Sequence, residues 1–244
     1  MQRGLTLQTE AGRSTPRGMK SIVIGATGGI GAALADALEA RGVAVTRLSR
    51  QSTPPIDLES DASIAAAAAA VAKDGPFDLI LIASGILHGD GVAPEKTYRQ
   101  LAGPALEQVF RVNSIGPALV ARHFVPLLRQ SGRAIFAALS ARVGSIGDNK
   151  LGGWFAYRAS KAALNQIVRT LAIELARTRP ETLCVALHPG TVDTALSAPF
   201  QRGLAEGQLL SPAASAGHLL DTLDQLGPAD SGGCFDWKGE RIAP

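Results

Sequence analysis

Apolar positions along the chain fall into short continuous runs that are separated by longer amphipathic stretches. The runs predict strands at Ser21–Ile24, Val43–Leu48, Asp78–Ala83, Arg133–Leu139, Leu183–Leu187 and Cys234–Trp237. The stretches between them predict helices at Ala32–Ala40, Ala62–Ala72, within Pro104–Arg129, at Trp154–Thr178 and at Pro212–Leu226. Strands that are apolar on both faces and alternate with helices are typical of a parallel sheet covered on both sides. The pattern therefore predicts an α/β fold.

No linker interrupts this alternation between residues 19 and 244, which predicts one doubly wound domain of Rossmann type. We expect a cofactor-binding half over about 19–140 and a catalytic and substrate half over about 141–244. Residues 1–18 are polar, carry no hydrophobic period, and are predicted to be a disordered leader.

Composition excludes several classes of protein. Of the 244 residues, 46% are hydrophobic and 18% charged, which argues against a disordered chain. The net charge of +3 gives no support for nucleic-acid binding, and no apolar run is long enough to span a bilayer. Two cysteines cannot build a disulfide framework, and the four histidines lack metal-ligand spacing, so we expect no metal site and a cytoplasmic location.

A glycine-rich junction follows the first predicted strand. Gly25, Gly29 and Gly31 lie in Gly25-Ala26-Thr27-Gly28-Gly29-Ile30-Gly31, where the chain turns from a strand into a helix. Such a turn lets the backbone approach a pyrophosphate that faces the helix N-terminus. The alternative is that the glycines form an ordinary tight turn. The place of the glycine-rich segment between a buried strand and a helix favours nucleotide binding.

The end of the second strand indicates which nucleotide binds. An acid at this place would hold the ribose hydroxyls and repel a 2′-phosphate, but the chain has Ser49 and Arg50. Arg50 can bind a phosphate through two N–H groups, and Ser49 can donate a further hydrogen bond. NADP(H) is therefore the preferred cofactor, with NAD(H) possible; the alternative is a solvated arginine in a loop.

Tyr157 and Lys161 are spaced by four residues on a predicted helix, so both project from one face. A free tyrosine has a pKa near 10, and a nearby ammonium would lower that pKa and make the phenol a usable acid and base. Alone, such a pair is usually part of a helix surface. The glycine pattern upstream supports a functional interpretation of the Tyr157 and Lys161 pair.

With these motifs in this order, residues 19–244 resemble the short-chain dehydrogenase/reductase family. Its Y-x-x-x-K matches Tyr157 and Lys161, its helix asparagine matches Asn113, and its P-G-x-V-x-T matches Pro189–Thr194. The resemblance implies catalytic roles for Tyr157, Lys161, Asn113 and a serine. It implies cofactor contacts from the following residues: Gly25, Thr27, Gly29, Ile30, Gly31, Ser49, Arg50, Asp57, Leu58, Ala83, Ser84, Gly85, Tyr157, Lys161, Pro189, Gly190, Val192 and Thr194.

Within this family, residues 140–149 and 153–165 are similar to the C-factor and sniffer-like carbonyl reductase branch. Two positions depart from the family pattern. The turn N-N-A-G appears as Ile82-Ala83-Ser84-Gly85, and the second serine of Ser-Ser is Ala141. Ser140 could replace the missing hydroxyl and is favoured here; otherwise Ser145 substitutes for it, or Tyr157 holds the substrate oxygen alone.

The resemblance implies an NADPH-dependent reductase of a carbonyl compound that also runs the reverse alcohol oxidation, and self-association as a dimer or tetramer. The loops at His88–Gly103 and Ala195–Ser211 would set specificity, and the apolar side chains of the second suggest an apolar or aromatic substrate. The alternative is a C-factor-like nucleotide-binding signalling protein with weak or no turnover, for which Ala141 argues. A hydrolase is discounted because Ser140 lies outside any G-x-S-x-G turn.

Overall fold

A computed structural model describes residues 18–89, 91–203, 205 and 207–244, so most of the predicted leader lies outside the described residues. The strands are β1 Lys20–Ile24, β2 Ala44–Leu48, β3 Leu79–Ile82, β4 Ala134–Leu139, β5 Thr182–His188, β6 Thr191–Val192, β7 Leu209–Leu210, β8 Cys234–Asp236 and β9 Arg241–Ile242. The α-helices are α1 Gly29–Ala40, α2 Asp61–Val71, α3 Gly103–Phe110, α4 Gly116–Phe124, α5 Phe155–Leu175 and α6 Pro212–Gln225.

Seven strands form one sheet in the order β2-β1-β3-β4-β5-β8-β9. All neighbours pair in parallel except β9, which runs antiparallel to β8 at the edge. The order reverses between β1 and β3, where an open parallel sheet leaves a crevice at the carboxyl ends of its strands. The predicted doubly wound α/β fold is confirmed.

The sheet is buried because alternate side chains of each strand enter two different apolar layers. In β3, Ile80 and Ile82 face a layer that includes α2, α4 and α5, while Leu79 and Leu81 face a layer that includes α1 and α6. All four side chains are at most 4% exposed. This double burial explains the continuous apolar runs of the sequence.

The helical stretch predicted within 104–129 consists of successive helical segments rather than one regular α-helix. Between α3 and α4 the chain forms a π-helix over Arg111–Ile115, in which the Gly116 N–H bonds to the carbonyl of Arg111, five residues earlier. Pro117 lacks the N–H that an α-helix would direct at the carbonyl of Asn113, which favours the wider turn. The irregular turn falls on the predicted catalytic asparagine.

Three short strands were missed by the sequence analysis. β6 and β7 pair with each other beside the main sheet, and β9 extends its edge. Each has two residues, too few for a hydrophobic period to be recognised. Within the described residues, no helix is long and apolar enough to cross a membrane.

Candidate active site

The glycine-rich turn packs more closely than any larger residue would permit. Gly25 has a φ of +89°, and its N–H donates to the carbonyl of Leu48 over 2.8 Å. A Cβ atom on Gly25 would lie 2.6 Å from Oγ of Ser84, and one on Gly31 would lie 2.1 Å from the carbonyl oxygen of Gly25. The helix α1 begins at Gly29, inside the glycine run, so its first turn opens directly at this junction.

Replacing Gly31 by Ala should therefore destabilise the fold. The new methyl group would overlap the carbonyl of Gly25, so the turn must shift, at a cost of about 1–3 kcal/mol in the free energy of unfolding. Urea unfolding of the purified variant measures this cost. Gly217→Ala in α6 is the matched control, because its added Cβ would have no described atom within 4 Å apart from its chain neighbours and the backbone of its own helix. Equal stabilities for Gly31→Ala and the unmodified chain would contradict the packing role.

A cleft of about 370 Å³ opens at the carboxyl ends of β1, β2 and β3. Nine of the predicted cofactor residues line it: Gly25, Thr27, Ser49, Arg50, Asp57, Leu58, Ala83, Ser84 and Gly85. His88, which the sequence analysis set aside, also lines it. The cleft thus joins the glycine turn to the end of the second strand, as a dinucleotide site requires.

Arg50 and Arg47 differ in what holds their guanidinium groups. Nη2 of Arg47 bonds to Asp36 over 2.6 Å and to Glu39 over 2.7 Å on α1. Arg50 is exposed on the cleft wall and forms no ion pair with any residue that the structure describes. The guanidinium of Arg50 is therefore available to an anionic ligand.

Lys161 lies beside the end of the cleft and is buried. Only 3% of the residue is exposed, and its Nζ donates to the carbonyl of Leu139 over 2.8 Å. A Cβ atom on Gly85 would lie 3.5 Å from this Nζ and 3.4 Å from Oδ1 of Asn113. Gly85 therefore links the cleft to the predicted catalytic residues.

Asn113 is fully buried and ties three segments together. Its Oδ1 accepts from the N–H of Ile86 over 2.8 Å, and its Nδ2 donates to the carbonyl of Ile86 over 2.9 Å and to Oγ of Ser160 over 3.1 Å. The hydroxyl of Ser160 donates in turn to the carbonyl of Tyr157 over 2.8 Å. Ser160 was missed as a site residue, although it lies inside the Tyr157–Lys161 motif.

Burial shifts the pKa values of Tyr157 and Lys161 in opposite directions. It raises the pKa of the Tyr157 phenol to about 12, and it lowers the pKa of the Lys161 ammonium to about 8. The expected lowering of the tyrosine pKa by lysine is therefore wrong for this state. Nζ of Lys161 lies 5.8 Å from the Tyr157 ring centroid, and burial of the phenol prevails. Near neutral pH the tyrosine holds its proton.

Both candidate serines donate their hydroxyl protons to protein acceptors. Oγ of Ser140 donates to Oδ1 of Asn165 over 2.7 Å, and Oγ of Ser145 donates to the carbonyl of Pro244 over 3.2 Å. Either hydroxyl would have to break its bond before it could donate to a substrate oxygen. The role given to Ser140 stays a prediction, and no motif of the sequence indicates Asn165 as its partner.

The Pro-Gly segment lies on the other side of the glycine turn. Val192 is buried in β6, and a Cβ atom on Gly29 would lie 2.7 Å from Cγ2 of Thr194. Gly190 has a φ of +81°, and the carbonyl of Pro189 accepts from Oγ of Ser215 over 2.8 Å. The predicted cofactor residues of the second half thus reach the start of α1, where Ile30 packs against the α1 and α6 layer.

Aromatic rings form one wall beside the tyrosine. The ring of Trp154 lies edge-on to Tyr157 at 6.3 Å between centroids and to Phe200 at 5.0 Å. Nε2 of His88 lies 3.0 Å from the carbonyl of Leu196, which connects the cleft to this substrate-side segment. In the described ranges, no group of three or more His, Cys, Asp or Glu residues could hold a metal ion.

Comparison with known proteins agrees with this geometry. A family model described as enoyl-(acyl carrier protein) reductase matches residues 25–221. The C-signal protein of Myxococcus xanthus is 34% identical over 169 residues, which cover 69% of this chain and 93% of that protein.

Two solved structures are similar in fold. The NADPH-bound carbonyl reductase from chicken fatty liver has a TM-score of 0.81 at 26% identity, with 95% of this chain and 96% of that chain covered. Carbonyl reductase Sniffer of D. melanogaster has a TM-score of 0.78 at 24% identity, with 93% and 100% covered, and it supports the fold alone. From its motifs, its fold and these likenesses, the chain belongs to the short-chain dehydrogenase/reductase family, whose members are nicotinamide-dependent oxidoreductases of carbonyl and alcohol groups.

Proposed function

We propose that the protein is an NADPH-dependent reductase of a carbonyl compound. The observation that carries this proposal is the half-buried Tyr157, whose ring lies 5.8 Å from Nζ of Lys161 and whose phenol has a pKa raised to about 12, near a cleft that joins the glycine turn to the end of β2. Reduction of a carbonyl consumes a proton, and a tyrosine that stays protonated at neutral pH can supply it. The chicken relative of similar fold is named as an NADPH-bound carbonyl reductase.

The described residues fit such a cofactor. Gly25, Gly28 and Gly85 line the cleft without side chains, so the backbone itself forms its surface there. Arg50 offers a 2′-phosphate a guanidinium that forms no ion pair with the described residues. Ser49 is buried beside it and already accepts from the N–H of Gln51. We assign the adenine side to Asp57 and Leu58, and the nicotinamide side to Lys161 and the Pro189–Thr194 segment. When bound, NADPH supplies the hydride that the carbonyl carbon accepts.

The residues of the chain would then supply the proton, stabilise the charge that develops and position the catalytic groups. Tyr157 donates its phenolic proton to the substrate oxygen as that oxygen gains negative charge. Lys161, whose ammonium is fixed by the carbonyl of Leu139, offsets the phenolate that remains. Asn113 positions the segment at Ile86 and, through Ser160, the first turn of α5. Reprotonation of the phenolate from solvent completes the cycle, and alcohol oxidation runs these steps in reverse.

We further propose that Tyr157 alone holds the substrate oxygen, because Ser140 and Ser145 both donate elsewhere. Ala141 then occupies the position at which relatives carry a polarising hydroxyl, and it is 9% exposed. Ala141→Ser should raise kcat/KM for a carbonyl substrate about tenfold or more, since one preorganised donor can contribute up to about 10²–10³ in rate. Steady-state kinetics at fixed NADPH measures this gain. Val143→Thr, a hydroxyl added two residues away, is the control, and equal effects in both would contradict the assignment.

A steady-state screen of NADPH oxidation against aldehydes, ketones and quinones tests the function itself. We expect turnover with apolar or aromatic carbonyl compounds, because Trp154 and Phe200 line the substrate side. NADPH binding without turnover of any of these carbonyl classes would contradict the proposed reductase.

The second candidate is a nucleotide-binding signalling protein with weak or no turnover. The 34% identity to C-signal and the alanine at 141 favour it. The retained Tyr157 and Lys161 argue against it, because binding alone does not need a proton donor. A chain that binds NADPH and leaves every carbonyl unreduced would support this candidate. That this protein is cytoplasmic and that it self-associates both stay predictions.

A further inference from the structure

The helix that carries Tyr157 and Lys161 begins without a cap of its own. Three successive residues before it have positive φ: Gly152 at 65°, Gly153 at 66° and Trp154 at 53°. Trp154 occupies the N-cap position, makes no side-chain cap, and no acidic residue lies in the first turn of α5. The first N–H groups of a helix need acceptors from outside the helix.

Glu95, in the loop between β3 and α3, supplies two such acceptors. Its Oε2 accepts from the N–H of Ala156 over 3.2 Å, and its main-chain carbonyl accepts from the N–H of Trp154. The residue is 4% exposed and forms no ion pair within the described part of the chain. A buried carboxylate without a cation is costly, and the partial positive charge of the helix N-terminus offsets that cost.

The loop around Glu95 is itself held in place. Val92 and Ala156 pack with Val109 in a small buried cluster, and Oε1 of Gln100 accepts from the N–H of Lys96 over 2.7 Å. The carboxylate therefore meets α5 from a fixed direction. Ala156 directly precedes Tyr157, so a bond to its N–H fixes the turn from which the phenol projects.

We propose that Glu95 is a positioning residue: it caps α5 from a distant loop and so places the Tyr157 phenol for proton transfer. The inference rests on the proposed function for its kinetic readout alone. A misplacement of about 1 Å at a reacting group can cost about 10² in rate even when the changed residue lies away from the chemistry. Cofactor affinity should change little, because Glu95 does not line the cleft.

Three variants and a control separate this role from a structural one. Glu95→Ala should lower kcat about 10- to 100-fold, leave the Kd for NADPH within about twofold, and speed amide hydrogen exchange at residues 155–158 at least tenfold. Glu95→Gln keeps the acceptor oxygen and should retain kcat within about threefold. Glu174→Ala, an exposed position near the other end of α5, should change none of these.

The outcomes are distinct. Glu95→Asp keeps the charge but is one methylene shorter, so it should lose kcat as Glu95→Ala does, and it serves if the alanine variant does not fold. Normal kcat and normal exchange in either variant would overturn the proposal, as would equal damage from Gln and Ala. If the unmodified protein reduces no carbonyl, the proposed function fails, while the exchange comparison between Ala and Gln still decides whether Glu95 caps α5.

Discussion

Tyr157→Phe should lower kcat/KM for carbonyl reduction by about 10³ and leave NADPH binding nearly unchanged. The ring would remain against Trp154, whose centroid lies 6.3 Å away, so packing of the substrate wall is preserved. The phenolic proton would be lost, and neither Ser140 nor Ser145 has a free one to replace it. Steady-state kinetics and a fluorescence titration with NADPH measure the two quantities separately.

Two controls accompany this prediction. Tyr98→Phe changes the other tyrosine of the chain, which is 65% exposed, and should leave kcat/KM unchanged. Ser140→Ala should lower kcat/KM less than about threefold and lower the free energy of unfolding by about 1 kcal/mol, because Oδ1 of Asn165 loses its donor. A fall of about 10² in Ser140→Ala with normal stability would restore Ser140 as the carbonyl-orienting group and refute a lone tyrosine.

Arg50→Asp should reverse the cofactor preference from NADPH to NADH. The substitution removes from the cleft wall a guanidinium that pairs with no described residue, and it places a carboxylate where a 2′-phosphate would lie. We expect kcat/KM for NADPH to fall about 10² or more, while kcat/KM for NADH changes less than about threefold. Both values come from initial rates with one carbonyl substrate held at saturation.

The control for this charge reversal is Arg177→Asp, at an exposed position beyond the end of α5. It makes the same change in net charge away from the cleft, so any general electrostatic effect appears in both variants. Equal kcat/KM values for NADPH and NADH in the unmodified protein would remove the premise. Arg47 is unsuited as a control because its bonds to Asp36 and Glu39 hold β2 to α1.

The sequence was sufficient to predict the sheet and the cleft, because both depend on local patterns. Continuous apolar runs predicted the five longest strands. The φ of +89° at Gly25 and the close approach of Gly31 to the carbonyl of Gly25 both lie within a single turn. Nine of the predicted cofactor residues line one cleft for the same reason: each follows the end of a strand of the parallel sheet.

Other features depend on partners far apart along the chain, and the sequence could not identify them. Glu95 caps a helix 61 residues later, and Ser140 bonds to Asn165, 25 residues away. The predicted lowering of the Tyr157 pKa was wrong, because this pKa depends on how deeply the phenol is buried. The spacing of residues on a helix does not determine that burial. The π-helix at Asn113 is favoured by Pro117, which lacks the N–H that a regular α-helix would direct at the carbonyl of Asn113. The helical pattern of the sequence alone did not indicate this irregular turn.

The alternation of side chains along the central strands has a consequence for how the protein denatures. Each of β1, β3, β4 and β5 contributes side chains to both apolar layers. If one layer loses its packing, the strands that support the other layer are disturbed as well. Heating should therefore produce a single calorimetric transition across the sheet, with no partly melted species. A cavity made beneath α6, such as Leu219→Ala, should lower the same melting temperature as one made beneath α4, such as Phe124→Ala.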